Sequence, residues 1–375
     1  MRTYSHCNLS CGEFVMQKKL LATLLLIIGF SVQIHPAESA VDMNMFLSMQ
    51  PDASAPRTWL FVPSALITLN LTETVRENLR GEMSLRFNYP GSTPTITVND
   101  LLDKVYVKAR FPHFQFTLGK TRLSWGDGVL FNAADVLFPV RTVSIDALSF
   151  QQAKSNAWQA SSLIPISSFS FIETAALFNQ QAPLFPLEQT DFGLRFYSGE
   201  HSVKFETGYA NRYTAQFRLH IPYIALQGNI GADWYLAASC ELPESNAVLN
   251  HGKTSLQISG GLYWLLPVPY NGTLSIRIET MVRPWLSWKE QSTAQQYALL
   301  LYSEISYSPG NDFSIGLRSV VSPIDLSAMI ALHGTWNVLQ NFTLMAIGTT
   351  AIGEPHDLCS LGYPLMLTFG ATWKY

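Results

Sequence analysis

A small set of charged side chains could select a solute by its charge. Only 14% of the 375 residues are charged, so an isolated Lys, Arg or Glu in an apolar segment stands out. Charges lining a narrow aqueous passage favour solutes of the opposite sign. The candidates on segments of alternating polarity are Arg86, Lys108, Arg110, Lys204, Arg277 and Glu279. The alternative for each of them is that wall charges merely pair with one another and keep a lumen wet.

A second candidate site lies in the segment GKTRLSWGDGVLFNAADVLFP, residues 119–139. Asp127, Asn132 and Asp135 could face the cations across a constriction, or bond nearby backbone amides in local turns. Gly126 and Gly128 permit a sharp turn, and Trp125 could wedge the segment against a wall. For these loop residues we favour a scaffolding role, in which they hold the loop's own conformation, over direct contact with a solute.

Enzyme chemistry finds little support in the sequence. The histidines form no H-E-x-x-H motif, no G-x-S-x-G context is present, and no His/Cys spacing suits a metal. We therefore predict no enzymatic activity, no cofactor and no metal. The net charge of −3 gives no reason to expect a nucleic-acid partner.

The elements that must position these residues are strands. Segments such as 80–89, RGEMSLRFNY, and 273–282, TLSIRIETMV, alternate polar and apolar residues. A period of two places successive side chains on opposite faces of a sheet. Turn signals such as Pro90-Gly91 and Asn271-Gly272 separate the segments, which predicts an antiparallel meander. Candidate strands number a few more than 16, including separate ones near 213–221 and 223–231, and we expect some to merge.

The N-terminal region predicts export. Residues 16–40 combine a basic start, the apolar run Leu20–Ile34 and small residues before a cleavage site, which is typical of a signal peptide. The alternative is an uncleaved anchor. Residues 1–15 are interpreted as an upstream extension, and residues 41–375 as one domain.

Three features favour a membrane barrel over a soluble sandwich, the alternative fold. The chain carries the predicted leader, several runs approach the roughly 9–11 residues of a transmembrane strand, and aromatic residues recur near their ends. The fold class predicted is all-β: a transmembrane antiparallel up-and-down β-barrel of about 16 strands, with 14 to 18 allowed. A barrel of that size retains an aqueous lumen.

The C-terminal segment PLMLTFGATWKY resembles a family signature. Its alternate apolar residues include Phe369, Trp373 and Tyr375, and the chain stops on the last of these. The pattern resembles the C-terminal assembly signal of bacterial outer-membrane β-barrels, although Phe is commoner than Tyr at the final position. The resemblance implies recognition by the outer-membrane barrel assembly machinery, a location in the bacterial outer membrane, and contact with its lipid.

The segment from residue 119 also resembles a motif of carbohydrate-porin and alginate-export-like barrels, G-R-Q, then W-G, then N-P-x-D. It reads Gly119-Lys120-Thr121, Trp125-Gly126 and Asn132-Ala133-Ala134-Asp135 here, so the Arg-Gln pair and the Pro are replaced. The resemblance implies a barrel of transport type. We expect residues 119–155 to form the third external loop and to fold into the lumen.

The function predicted is a porin-like channel for passive diffusion of small hydrophilic solutes, through a mixed-charge lumen narrowed by this loop. Oligomers are possible. The alternatives are a surface-exposed binding or adhesion protein, and a plugged barrel that transports hydrophobic substrates.

Overall fold

The structure is a computed structural model. It describes residues 38–51, 58–89, 101–139, 145, 156–178, 187–199, 202–214, 217–244, 255–269, 271–289, 297–354, 357–359 and 365–375. The upstream extension and most of the expected signal peptide lie outside this range, and both stay predictions. Residues 38–40, at the end of the expected leader, lie in the first strand.

The described residues form 18 strands and one short 3-10 turn, Leu187–Gln189. In chain order the strands are β1 Glu38–Pro51, β2 Trp59–Arg76, β3 Leu79–Tyr89, β4 Leu102–Arg110, β5 Gln115–Thr121, β6 Ala157–Pro165, β7 Ser170–Phe178, β8 Asp191–Ser198, β9 Val203–Tyr213, β10 Arg218–Asn229, β11 Asp233–Pro243, β12 Ser255–Val268, β13 Gly272–Val282, β14 Leu299–Ser308, β15 Phe313–Ser322, β16 Ser327–Leu339, β17 Phe342–Ile352 and β18 Leu365–Lys374.

These strands close into one antiparallel barrel. Each strand pairs with its neighbours along the chain, and β1 pairs with both β2 and β18. At the closure, the Val41 amide donates to the Tyr375 carbonyl at 2.7 Å and the Tyr375 amide returns a bond to Val41 at 2.9 Å. Among the described strands, closure leaves no edge unpaired, which a sheet in lipid requires.

The predicted all-β barrel is confirmed, and the count of about 16 strands is corrected to 18, the upper limit allowed. Two candidate segments, near 213–221 and 223–231, are a single strand, β10. Pro222 lies in its middle, opposite Tyr209, and interrupts the sequence pattern without breaking the strand. Each of the other candidate segments corresponds to a separate strand, which pairs with two neighbours in the ring.

The alternation separates an apolar outside from a mixed inside. On β13, Ile278 is 50% exposed on the outer face while Glu279 beside it is 1% exposed on the inner face. Aromatic rings are exposed near strand ends, among them Trp59, Trp264, Tyr307, Trp336 and Trp373. An outward apolar band with aromatic residues near its edges is the surface that lipid requires.

The two ends of the barrel differ in the length of their connections. Short turns such as 77–78, 111–114, 166–169, 230–232 and 340–341 lie at the end where both β1 begins and β18 finishes. At this short-turn end, Asn341 adopts a left-handed φ of 65°. The connection between β5 and β6, residues 122–156, belongs to the opposite, long-loop end. In the described part of the chain, no helix has the length and apolarity to cross a membrane.

Candidate functional site in the barrel lumen

Residues 122–139, the longest described part of the β5–β6 connection, fold into the lumen, and we call them the re-entrant loop. The backbone amides of Val129, Leu130 and Phe131 donate to the carboxylate of Glu279 at 3.0, 2.9 and 3.0 Å. The Ala133 amide donates to the Ser259 hydroxyl at 2.9 Å. The loop is therefore fastened to β12 and β13.

This attachment means that the loop crosses the barrel. The loop leaves β5, and β13 lies eight strands away (13 − 5 = 8) in a ring of 18. A point eight or nine strands around such a ring is on the opposite wall. The loop thus divides the lumen rather than lining the wall from which it starts.

A second attachment uses charged side chains of β7, β8 and β9. The Trp125 indole donates to Glu173 at 2.9 Å, and the Gly126 amide contacts Glu206 at 3.4 Å. Arg195 lies between the two carboxylates, at 2.8 Å from Glu173 and 3.5 Å from Glu206. Buried carboxylates need such partners, because an unpaired charge away from water is costly.

Apolar packing completes the attachment. Trp125 and Phe131 are each 1% exposed, and the Trp125 ring lies 5.7 Å from that of Tyr223 on β10. The wall contributes buried side chains from several strands to the same cluster: Ala175, Leu177, Ile221, Leu300, Val320 and Met329. The walls against which the loop packs therefore contribute apolar side chains as well as charged ones.

The loop also needs glycine at defined places. Gly126 has a φ of +70°, and a Cβ there would lie 2.5 Å from Oδ1 of Asn132. At Gly128, an added Cβ would lie 2.0 Å from the Phe131 carbonyl oxygen. Asn132 joins the two sides of the turn, since its amide donates to the Trp125 carbonyl at 2.7 Å and its Oδ1 accepts from Ala134.

Asp135 and Arg122 close the base of the loop. Nη2 of Arg122 lies 2.5 Å from Oδ2 of Asp135 and donates to the Phe138 carbonyl at 3.0 Å. Burial raises the pKa of Asp135 to about 6, although the Arg122 guanidinium opposes the shift. The sequence pattern could not assign this pairing, because Arg122 and Asp135 both lie beyond the end of β5.

A cavity of about 350 Å³ lies between the tip of the loop and the wall of β9 to β13. It occupies the half of the barrel nearer the short-turn end, since Lys204 and Asp233 stand at the beginnings of β9 and β11. The lining is mixed in charge and includes Asp127, Lys204, Asp233, Tyr235, Tyr263, Arg277 and Glu279. Burial by the cavity walls raises the pKa of Asp127, an effect that Lys204 opposes and Asp233 increases.

The structure groups some of the predicted site residues and separates others. Asp127, Lys204, Arg277 and Glu279 share the cavity. Asn132 and Asp135 instead make contacts within the loop, where Trp125, Gly126 and Gly128 also lie. Arg86 pairs with Asp103 at 3.0 Å on the wall of β3 and β4, and Lys108 and Arg110 lie on β4. The roles of these residues, and that of Phe369, Trp373 and Tyr375 in assembly, stay predictions.

Several residues of this site were absent from the sequence-based candidates. Glu173 and Arg195 hold the loop, and Asp233 lines the cavity. Glu173 carried a usable signal, because it is the only charged residue of the strand SFIETAALF. An isolated carboxylate on the inner face of an apolar strand requires a partner.

Comparison with known proteins gives structural matches only. No protein-family model and no curated protein matches the chain. Among solved structures, the Escherichia coli protein Wzi, an outer-membrane carbohydrate-binding β-barrel involved in group 1 capsule assembly, is similar with a TM-score of 0.59 and 12% identity, over 94% of this chain and 87% of that one.

Two Pseudomonas aeruginosa proteins are also similar. OpdL matches with a TM-score of 0.56 and 10% identity, over 91% of this chain and 99% of that one. OccK11 (OpdR) matches with a TM-score of 0.55 and 10% identity, over 90% and 95% of the two chains. These similarities and the closed ring of 18 strands show that the chain has the fold of the porin-like β-barrels of the bacterial outer membrane.

Proposed function

We propose that the protein is an outer-membrane channel through which small hydrophilic solutes diffuse, with the re-entrant loop as its constriction. The observation that carries the proposal is the attachment of this loop to Glu279 on the far wall, which places a fixed barrier across the lumen. A loop anchored by buried carboxylates narrows a passage without depending on its own flexibility.

The passage runs along the first strands, whose inner face carries hydrogen-bonded and ion-paired side chains. Asp42 and Asn70 are joined by a hydrogen bond of 3.1 Å, and Glu82 pairs with Lys104 at 2.6 Å on β3 and β4. Hydrogen-bonded and ion-paired groups of this kind keep a wall hydrated, and the Glu82–Lys104 pair carries no net charge. The loop instead packs against the apolar inner face of the opposite strands.

Conductance measurements test the proposal directly. Purified protein in planar lipid bilayers should give discrete current steps, and liposomes containing it should admit small sugars. Substitution Asn44→Trp puts a large ring on the inner face of β1 and should reduce the current. Met45→Trp is the matched control, because Met45 is 49% exposed on the outer face and does not reach the passage. A folded barrel that gives no steps in repeated reconstitutions would contradict the channel.

A second candidate function is solute binding without transport. It is favoured by the number of buried apolar side chains that pack the loop against the barrel wall. It is also favoured by the structural similarity to Wzi, which is a carbohydrate-binding barrel. A barrel that stays silent in bilayers but binds an oligosaccharide would support this candidate over the channel.

A further inference from the structure

We propose that the cavity beneath the loop tip is a binding site for zwitterionic solutes, such as amino acids and short peptides, which carry an ammonium and a carboxylate group. The inference rests on the proposed function, since it names the class of solute that such a channel would hold beside its constriction. Its basis is the arrangement of opposite charges around one cavity.

Two cations face the cavity. Lys204 on β9 is exposed to it, and among the described residues no carboxylate forms an ion pair with its ammonium group. Arg277 on β13 packs over the ring of Tyr263 at 4.7 Å and lies 3.6 Å from Glu279. Its Nε is buried and has no hydrogen-bond partner within the described range. Lys204 therefore retains donors for a carboxylate, and Arg277 adds a second positive charge beside the cavity.

Two anions face the same cavity. Asp127, at the loop tip, faces the cavity and makes no ion pair with any residue that the structure describes. Asp233, at the start of β11, accepts one bond from Asn229 at 2.7 Å and keeps its second oxygen. Glu279 differs from them, because its two oxygens accept three backbone bonds from the loop. Asp127 and Asp233 are thus the acceptors available to an ammonium group.

The balance of signs decides which solute fits. A solute with a single charge would meet its counter-ions together with like charges that oppose its binding, two for a cation and three, Glu279 included, for an anion. A solute that carries both charges can pair with both sets, through the charge-assisted bonds that are the stronger class. The volume of about 350 Å³ is in the range of small-molecule pockets, and Tyr235 and Tyr263 add apolar surface.

A set of matched probes tests the proposal by ligand-observed NMR titration of the purified full-length protein in detergent. The probes are glycylglycine, N-acetylglycylglycine without the ammonium, glycylglycine amide without the carboxylate, and glucose. Glycylglycine should bind up to about five-fold more tightly than either blocked dipeptide, since a partly exposed ion pair contributes up to about a factor of five. Equal affinity for the three dipeptides, or tighter binding of glucose, would overturn the proposal.

Substitutions in the protein locate the site. Lys204→Met should remove the preference over glycylglycine amide, and Asp127→Asn should remove the preference over N-acetylglycylglycine. Lys104→Met is the control, because it removes the same charge from the wall of β4, where Lys104 pairs with Glu82. Folding of each variant is checked by its heat-dependent mobility on gels, and the two cavity variants test the site independently. Loss of preference in the control variant as well would refute a local site.

The site and the channel can fail separately. A barrel that conducts but does not prefer glycylglycine keeps the proposed function and refutes the zwitterion site. A barrel that prefers glycylglycine but is silent in bilayers refutes the channel and keeps the site.

Discussion

The attachment of the re-entrant loop to Glu279 allows a quantitative test. Glu279→Gln preserves the size of the side chain but replaces one carboxylate oxygen with an NH2 group. The carboxylate accepts three backbone amides, two of them on Oε2 and one on Oε1. In the variant the acceptor at position 279 is therefore uncharged. Its NH2 group also points at one or two of the backbone amides, which are donors themselves.

The expected cost follows from the bonds lost. A hydrogen bond to a charged group contributes about 1.5–3 kcal/mol, and because neighbouring bonds are not additive we take about 3 kcal/mol for the set. Since about 1.4 kcal/mol corresponds to a factor of ten, the ratio of detached to attached loop should rise on the order of 100-fold. The packing of Trp125 and Phe131 is unchanged, so the attached form still dominates.

Single-channel recordings and limited proteolysis measure this shift. The variant should show more frequent excursions to higher conductance, and its loop should be cleaved faster by protease. Glu82→Gln is the matched control, because Glu82 holds Lys104 and Tyr106 on the opposite wall rather than the loop. If Glu279→Gln behaves like Glu82→Gln in both assays while remaining a folded barrel, the loop is not held by Glu279.

Three further predictions concern packing, pH and closure. Gly193→Val should displace Trp125 and increase cleavage of the loop, because even a Cβ at this position would lie 2.4 Å from the indole. Gly81→Val is the control, because an added Cβ there meets no atom within 4 Å among the described residues other than its chain neighbours. Acidification from pH 6 toward pH 4 should protect the loop from protease, because burial raises the pKa of Asp135 to about 6 and the protonated form is therefore favoured in the folded protein. Asp135→Asn should flatten this dependence, and increased cleavage of the wild type on acidification would contradict the assignment. Deleting residues 373–375 removes both backbone bonds between Tyr375 and Val41 and should lower the yield of assembled barrel in outer-membrane fractions; an unchanged yield would argue against a role for this end in closure.

The faces of the strands were predictable because they depend on a local period. Ile278 and Glu279 differ by one position, and a period of two assigns them to opposite faces without any knowledge of the neighbouring strands. The number of strands depends on where the alternation stops. The candidate strands near 213–221 and 223–231 were separated at Pro222, although β10 continues through this residue.

The composition of the site was less predictable, because it depends on the register between strands and on the path of a long loop. The alternation assigned Lys204, Arg277 and Glu279 to the inner face. It did not predict that the three side chains lie at the same depth in the lumen, around one cavity. The contact between Leu130 and Glu279 joins positions 149 residues apart, and no local pattern encodes it. Asn132 was a candidate for the constriction, yet its side chain bonds the loop's own backbone.

The separation in sequence between the loop and Glu279, which accepts its hydrogen bonds, also constrains the order of folding. Val129 is synthesised 150 residues before Glu279. The part of the wall that carries this acceptor therefore forms only when β13 has joined the sheet. Contacts of such long range form only after the chain between them has been ordered. The attachment of the loop to β7 and β9 can therefore form earlier than its attachment to β13.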